Sequence, residues 1–153
     1  MNEKVVYLKL DGYTRDWLIN RFGDPVRFPA RSYENEILAR YIVSLRHICG
    51  PKVEKEGKIA IVVPAIHGKP WESHNHFTRD GKKCLKAAVK NLFELDLLGS
   101  VMPRLAEGDI YKFINDFCRS RGISHESRPA VIKRFYRIRR EYQKNGINLI
   151  VKK

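Results

Sequence analysis

Three successive runs in the second half of the chain place apolar residues at helical spacing, each opening on a capping residue and closing at a glycine. Asp80 or Thr78 starts the first, which runs through Leu85, Ala88, Val89, Leu92, Phe93 and Leu95 and is expected to end near Gly99, before Pro103. Asp109 starts the second, where Ile110, Phe113, Ile114, Phe117 and Cys118 match a one-sided helix without a miss. Gly122 closes it, and Ile123 stands where the apolar contact of such a cap is made. Ser127 opens the third, with Pro129 tolerated in its first turn, and Val131, Phe135, Ile138 and Tyr142 step along it by four, three and four before Gly146. Helices with one apolar stripe must bury it, so these three are expected to pack as a unit.

The first half reads as a mixture. Val5–Leu10 has strand composition and closes at Asp11-Gly12, and Thr14 caps a helix through Phe22 that carries Trp17, Leu18 and Phe22 inward until Gly23-Asp24-Pro25. Ser32, with Glu34 and Glu36 in the first turn, starts a helix bearing Ile37, Leu38, Tyr41, Ile42, Leu45 and Ile48, expected to stop at Gly50-Pro51. Lys58–Ile66 contains the continuous run Ile59-Ala-Ile-Val-Val63, which predicts a strand buried on both faces and paired with Val5–Leu10. His67–Thr78 is loop-like, and Ile147–Val151 predicts a short final strand or docked tail. The expected fold is α+β, a small antiparallel sheet with an N-terminal helical pair and a C-terminal three-helix unit. Residues 1–77 would form a scaffold or oligomerisation module and residues 78–153 the helical unit.

Charge is distributed unevenly. Of the formal net charge of +13, residues 119–153 hold eleven Lys and Arg against only Glu126 and Glu141. Lys133, Arg137, Arg140 and Lys144 follow the rhythm of the apolar stripe two positions on, and so form a cationic stripe about 160° from it around a 3.6-residue turn. A solvating helix face normally mixes Glu with Lys at four-residue spacing, whereas from Arg128 to Lys144 seven cations face Glu141 alone. An excess of that kind points to an external polyanion.

Three helices in series, the last basic and the second closed by a Gly turn, resemble a helix-turn-helix DNA-binding unit of the kind found in phage and mobile-element regulators, over about Leu85 to Gly146. The resemblance implies that the helix Ile110–Arg121 crosses the phosphate backbone and the helix Arg128–Asn145 enters the major groove. Lys133, Arg134 and Arg137 would then face base edges, where the planar fork of Arg suits guanine O6 and N7. Arg121, Arg128, Arg140 and Lys144 would contact phosphates, as would Lys69, Arg79, Lys82 and Lys83 around the start of the Asp80 helix. The turn Gly122–Ser127 is longer, and the last helix longer, than in a simple reader of this type. Such regulators often dimerise, and the sequence permits a homodimer. Duplex DNA is favoured over RNA, because no aromatic-rich sheet motif or GXXG clamp is present. The expected role is a transcriptional regulator or accessory factor of a phage or mobile element.

His67, His74 and His76 are the one group with metal-ligating chemistry, and a metal-dependent DNA-nicking or nuclease activity is the alternative they raise. Asn75 stands between His74 and His76 where rolling-circle nucleases carry a bulky apolar residue, and no acidic third ligand is close in sequence. A polar surface loop accounts for them, so no metal, cofactor or enzyme activity is expected. A further alternative makes the basic helix a docking surface for an acidic protein. Glycine-rich phosphate loops are missing, and no stretch approaches 18 apolar residues, so a membrane span is not expected. Cys49, Cys84 and Cys118, odd in number and widely spaced, read as reduced thiols of a cytoplasmic protein, nucleoid-associated if prokaryotic.

Overall fold

Val6 and Leu8 point one way from a short strand and must be covered. In the computed structural model, which describes residues 4–10, 12–44 and 58–147, strand β1 (Val5–Leu8) pairs antiparallel with β3 (Ile59–Val62) in the register Val6↔Ile61 and Leu8↔Ile59. Val26 adds an isolated parallel bridge on the far side of Ile61, donating its N–H to Ala60 and accepting from Val62. The strand pairing is the one expected, but β3 is shorter and alternates. Ile59, Ile61 and Val63 are buried while Ala60 and Val62 are only partly covered, as expected where, among the described residues, one side of this small ladder faces the core.

Helix α1 (Gly12–Phe22) buries Thr14, Trp17 and Leu18. Helix α2 (Tyr33–Tyr41) is capped by Ser32, whose hydroxyl accepts from the Asn35 N–H. It was expected to continue to Ile48 but stops at Tyr41. Ile42 and Val43, β-branched and compatible with either conformation, turn extended as β2 (Ile42–Val43) and pair antiparallel with β4 (His76–Phe77). The single expected sheet is therefore two separate two-stranded ladders. Leu45 and Ile48, the remainder of the expected helix, lie outside the described residues, as does most of the expected strand at Ile147–Val151.

Helix α3 (Arg79–Val101) starts at Thr78, whose hydroxyl accepts from the Gly81 N–H. It passes straight through Gly99, because Leu97 and Val101 continue its buried stripe and Gly99 itself is exposed. Gly81 is required near its start: a Cβ there would lie 2.4 Å from Tyr41 Cβ and 2.5 Å from Phe77 Cε1. A 3-10 segment, Met102–Glu107, leads to α4 (Ile110–Ser120), with Asp109 accepting from the Tyr111 N–H.

The α4 terminus closes as its sequence predicts. Gly122, at φ 69°, allows its N–H to reach the Arg119 carbonyl and the Ile123 N–H to reach Cys118, and Ile123 is buried. Ser127 does not cap α5 (Arg128–Lys144); it closes a 3-10 turn, His125–Ser127, and runs into the helix in helical conformation. Helix α5 ends by the same device as α4, with Gly146 at φ 78° and the Ile147 N–H bonded to Tyr142.

One cluster of buried side chains runs from Val6 and Leu8 through Trp17, Leu38, Phe93 and Phe117 to Phe135. The two expected segments, 1–77 and 78–153, thus share a core. Tyr13, Trp17 and Phe117 all place their rings against Phe93 at its centre, with centroids 5.1, 5.9 and 6.0 Å away.

Candidate nucleic-acid interface

On α5 the expected division of faces is present except at its end, where Tyr142, the last residue of the expected apolar stripe, is 38% exposed. Val131, Phe135 and Ile138 are buried, whereas Lys133, Arg137, Arg140 and Lys144 are exposed. No ion pair or hydrogen bond among the described residues engages any of these four side chains. From Lys133 to Lys144 the stripe spans about 16 Å of helix axis at 1.5 Å per residue.

Other cations assigned to nucleic acid from the sequence are committed to the protein itself. Arg134, expected to face bases, is only 16% exposed and forms an ion pair with Glu94 of α3, to which its Nε donates at 2.7 Å. The reason is angular: Arg134 lies on the flank of α5 that meets α3, between the apolar stripe and the cationic one. Arg121, expected on phosphate, donates from Nε to Asp96 Oδ2 at 2.7 Å and from a terminal nitrogen to Asp96 Oδ1 at 2.9 Å. Its guanidinium also lies over the Phe117 ring. Trp17 Nε1 donates to the same carboxylate at 2.8 Å, so Asp96 ties α1, α3 and α4 together. Burial pushes the Asp96 carboxyl up, but hydrogen bonds from Arg121 and Trp17, with the Arg121 charge, outweigh it and hold the group below its ordinary value. The hydrogen bond to Asp96 raises Arg121 in turn.

Lys69 is likewise spent within the fold. Its Nζ donates to the carbonyls of Ala39 at 2.8 Å and Ile42 at 2.9 Å, a cation at the C-terminus of α2 where orphan carbonyls and the helix dipole favour one. Arg128 is half-buried, with its Nε shielded and its charge beside Cys118. Burial pushes that thiol up to about 11. Arg79 and Lys83 are exposed and Lys82 partly so, but they begin α3, some 16–22 Å along its axis from the Glu94 contact with α5. They do not join the α5 stripe.

His67, His74 and His76 are not brought together as ligands, and among the described residues no group of three His, Cys, Asp or Glu side chains is arranged to hold a metal ion. His74 Nδ1 instead shares a hydrogen bond with the neighbouring Ser73 hydroxyl at 2.8 Å. A groove of about 460 Å³ between α3 and α5 is lined by Leu95, Leu98, Ile138 and Tyr142 with Glu94 and Glu141. Its charged groups are carboxylates, which do not suit a polyanion. No helix among the described residues is long and apolar enough to cross a membrane.

Sequence reasoning missed Asp96 and Glu94 as the partners that neutralise Arg121 and Arg134. They lie inside the α3 repeat, 25 and 40 residues away in sequence. A signal existed for Arg134 alone, since helical geometry already separates it from the stripe of Lys133 and Arg137. No family model, curated protein or solved structure matches the chain.

Proposed function

We propose that the protein binds nucleic acid, with duplex DNA the favoured form, through the solvent face of α5, acting as a DNA-binding regulator or accessory factor. One observation carries the reading: the fold sorts its cations. Arg121, Arg134 and Lys69 are matched to internal carboxylates or carbonyls, while Lys133, Arg137, Arg140 and Lys144 are left together on one exposed face. Four like charges on consecutive turns repel one another by a few tenths of a kcal/mol per pair, a cost that an external polyanion reverses. A helix of this diameter fits the major groove of B-DNA, about 12 Å wide. Lys133 and Arg137 are the candidates for base edges, and Arg140 and Lys144 for phosphates. The α3–α5 arrangement supports this assignment with Arg134 removed from it.

The test is a gel-shift series over duplex DNA, single-stranded DNA and RNA at several salt concentrations. Duplex binding strongly weakened by Arg137→Glu and much less by Lys82→Glu is the expected ordering. Equal effects of the two reversals, or no binding to any nucleic acid at low salt, would refute the proposal.

A further inference from the structure

A second basic feature lies on the N-terminal side of the Arg134–Glu94 contact. Lys9 from the end of β1 and Lys86 and Lys90 from the middle of α3 line a groove of about 250 Å³, with Tyr13 and Thr14 of α1 beside them. All three lysines are exposed, and among the described residues no carboxylate lines the groove. Counting Asp11, the sequence neighbour of Leu10, against them still leaves an excess of two positive charges. One wall is rigid, because the Tyr13 ring packs on Phe93 and Thr14 is buried.

We infer that this groove seats a phosphate group, and, resting on the nucleic-acid reading above, that the phosphate belongs to the backbone of the polynucleotide bound by α5. The chemistry follows from the residue type. Three ammonium groups approaching from two chain segments suit a tetrahedral oxyanion with several unshared oxygens, and lysine, a flexible point charge, needs no planar partner. Lys86 and Lys90 stand one turn apart and repel, so an anion between them relieves both. A concave basic site also concentrates its field more than a flat one.

Position connects the groove to α5. Lys90 precedes Glu94 by one helical turn, and Glu94 holds Arg134 of α5. A Cβ at Gly12 would lie 3.3 Å from Ser127 Oγ, so the start of α1 abuts the start of α5. The helices that line the groove, α1 and α3, are thus the ones that meet the first turns of α5, and the inferred path of a strand along Lys133 and Arg137 continues to this site. The contact on α3 moves from Arg79, Lys82 and Lys83 to Lys86 and Lys90, and gains Lys9.

Two measurements on the full chain test the inference. In an amide chemical-shift titration with inorganic phosphate at low salt, saturable shifts are expected at Tyr13, Thr14, Lys86 and Lys90, and are lost in K86Q/K90Q at unchanged melting temperature. With duplex DNA, the same variant is expected to lower the slope of log K against log salt by about 0.9, the value for one phosphate contact. Shifts spread over all surface lysines, or a slope unchanged in the variant, would overturn the groove while leaving the α5 reading intact. Saturable phosphate shifts in a protein that binds no nucleic acid would overturn the assignment to a polynucleotide, and with it the α5 reading, while retaining an oxyanion seat. Lys9→Gln, which alters neither helix, provides a separate check and is expected to weaken the phosphate titration several-fold.

Discussion

Asp96→Asn keeps the size of the side chain and removes its charge. The carboxylate accepts three hydrogen bonds, two from Arg121 and one from Trp17, at 2.7, 2.9 and 2.8 Å. Oδ2 accepts from both Arg121 Nε and Trp17, so an amide with its oxygen in that place keeps those two bonds in weaker, neutral form and turns its NH2 toward the other Arg121 nitrogen. One charged bond, roughly 1.5–3 kcal/mol when shielded, is lost outright and the guanidinium loses its counter-charge. Asp96 and Arg121 retain 19% and 26% side-chain exposure, which discounts the total to about 2–4 kcal/mol. For a chain of this size that lowers the melting temperature by roughly 5–15 °C. Urea unfolding should show a lower midpoint at unchanged slope. The pH dependence follows from the depressed carboxyl. Its stabilisation is complete above the unfolded-state value of about 3.9 and is lost as pH falls through the lower folded value, because the unfolded chain binds the extra proton in that window. The gap between wild type and variant should therefore narrow below about pH 4. A loss under about 0.5 kcal/mol at pH 7, or a gap independent of pH between 5 and 2.5, would refute the role given to Asp96.

Arg134→Gln should lower stability by about 1–3 kcal/mol in urea unfolding, through loss of its shielded pairing with Glu94, whereas Arg137→Gln should leave stability within about 0.5 kcal/mol. Gly81→Ala must displace Tyr41 or Phe77, and an overpacking cost of about 1–3 kcal/mol is expected in thermal melts. Cys118, fully buried with its thiol pushed up to about 11, should resist alkylation at pH 8 in peptide mapping while Cys84, partly exposed, reacts faster.

Local physics was the legible part of this chain. The caps at Ser32, Thr78 and Asp109, the closing turn at Gly122-Ile123 and the apolar stripes of α3, α4 and α5 all depend on residues within about five positions of one another, and each stands where the sequence places it apart from Leu95 of α3 and Tyr142 of α5, which are exposed. The end of α2 was not legible, because Ile42 keeps the helical spacing while pairing with Phe77, which is far away in sequence. Two-residue ladders leave no periodic trace. Gly99 misled because an exposed glycine stops a helix only when no buried stripe continues beyond it.

The cationic site divided along the same line. Exposure of Lys133, Arg137, Arg140 and Lys144 followed from helix geometry alone. Arg121, Arg134 and Lys69 have the same charge and composition as those four, but their partners come from other elements, and only the folded chain brings Asp96, Glu94 and the α2 carbonyls to them.

The salt dependence of duplex binding tests the central claim most directly, comparing the wild-type chain with a variant in which Lys133, Arg137, Arg140 and Lys144 are all changed to Gln. With Arg140 and Lys144 on phosphates, the slope of log K against log salt should be shallower in the variant by about 1.8, at about 0.9 per phosphate contact, with the melting temperature retained. A wild-type slope near zero, or the same slope in both proteins, would contradict the account.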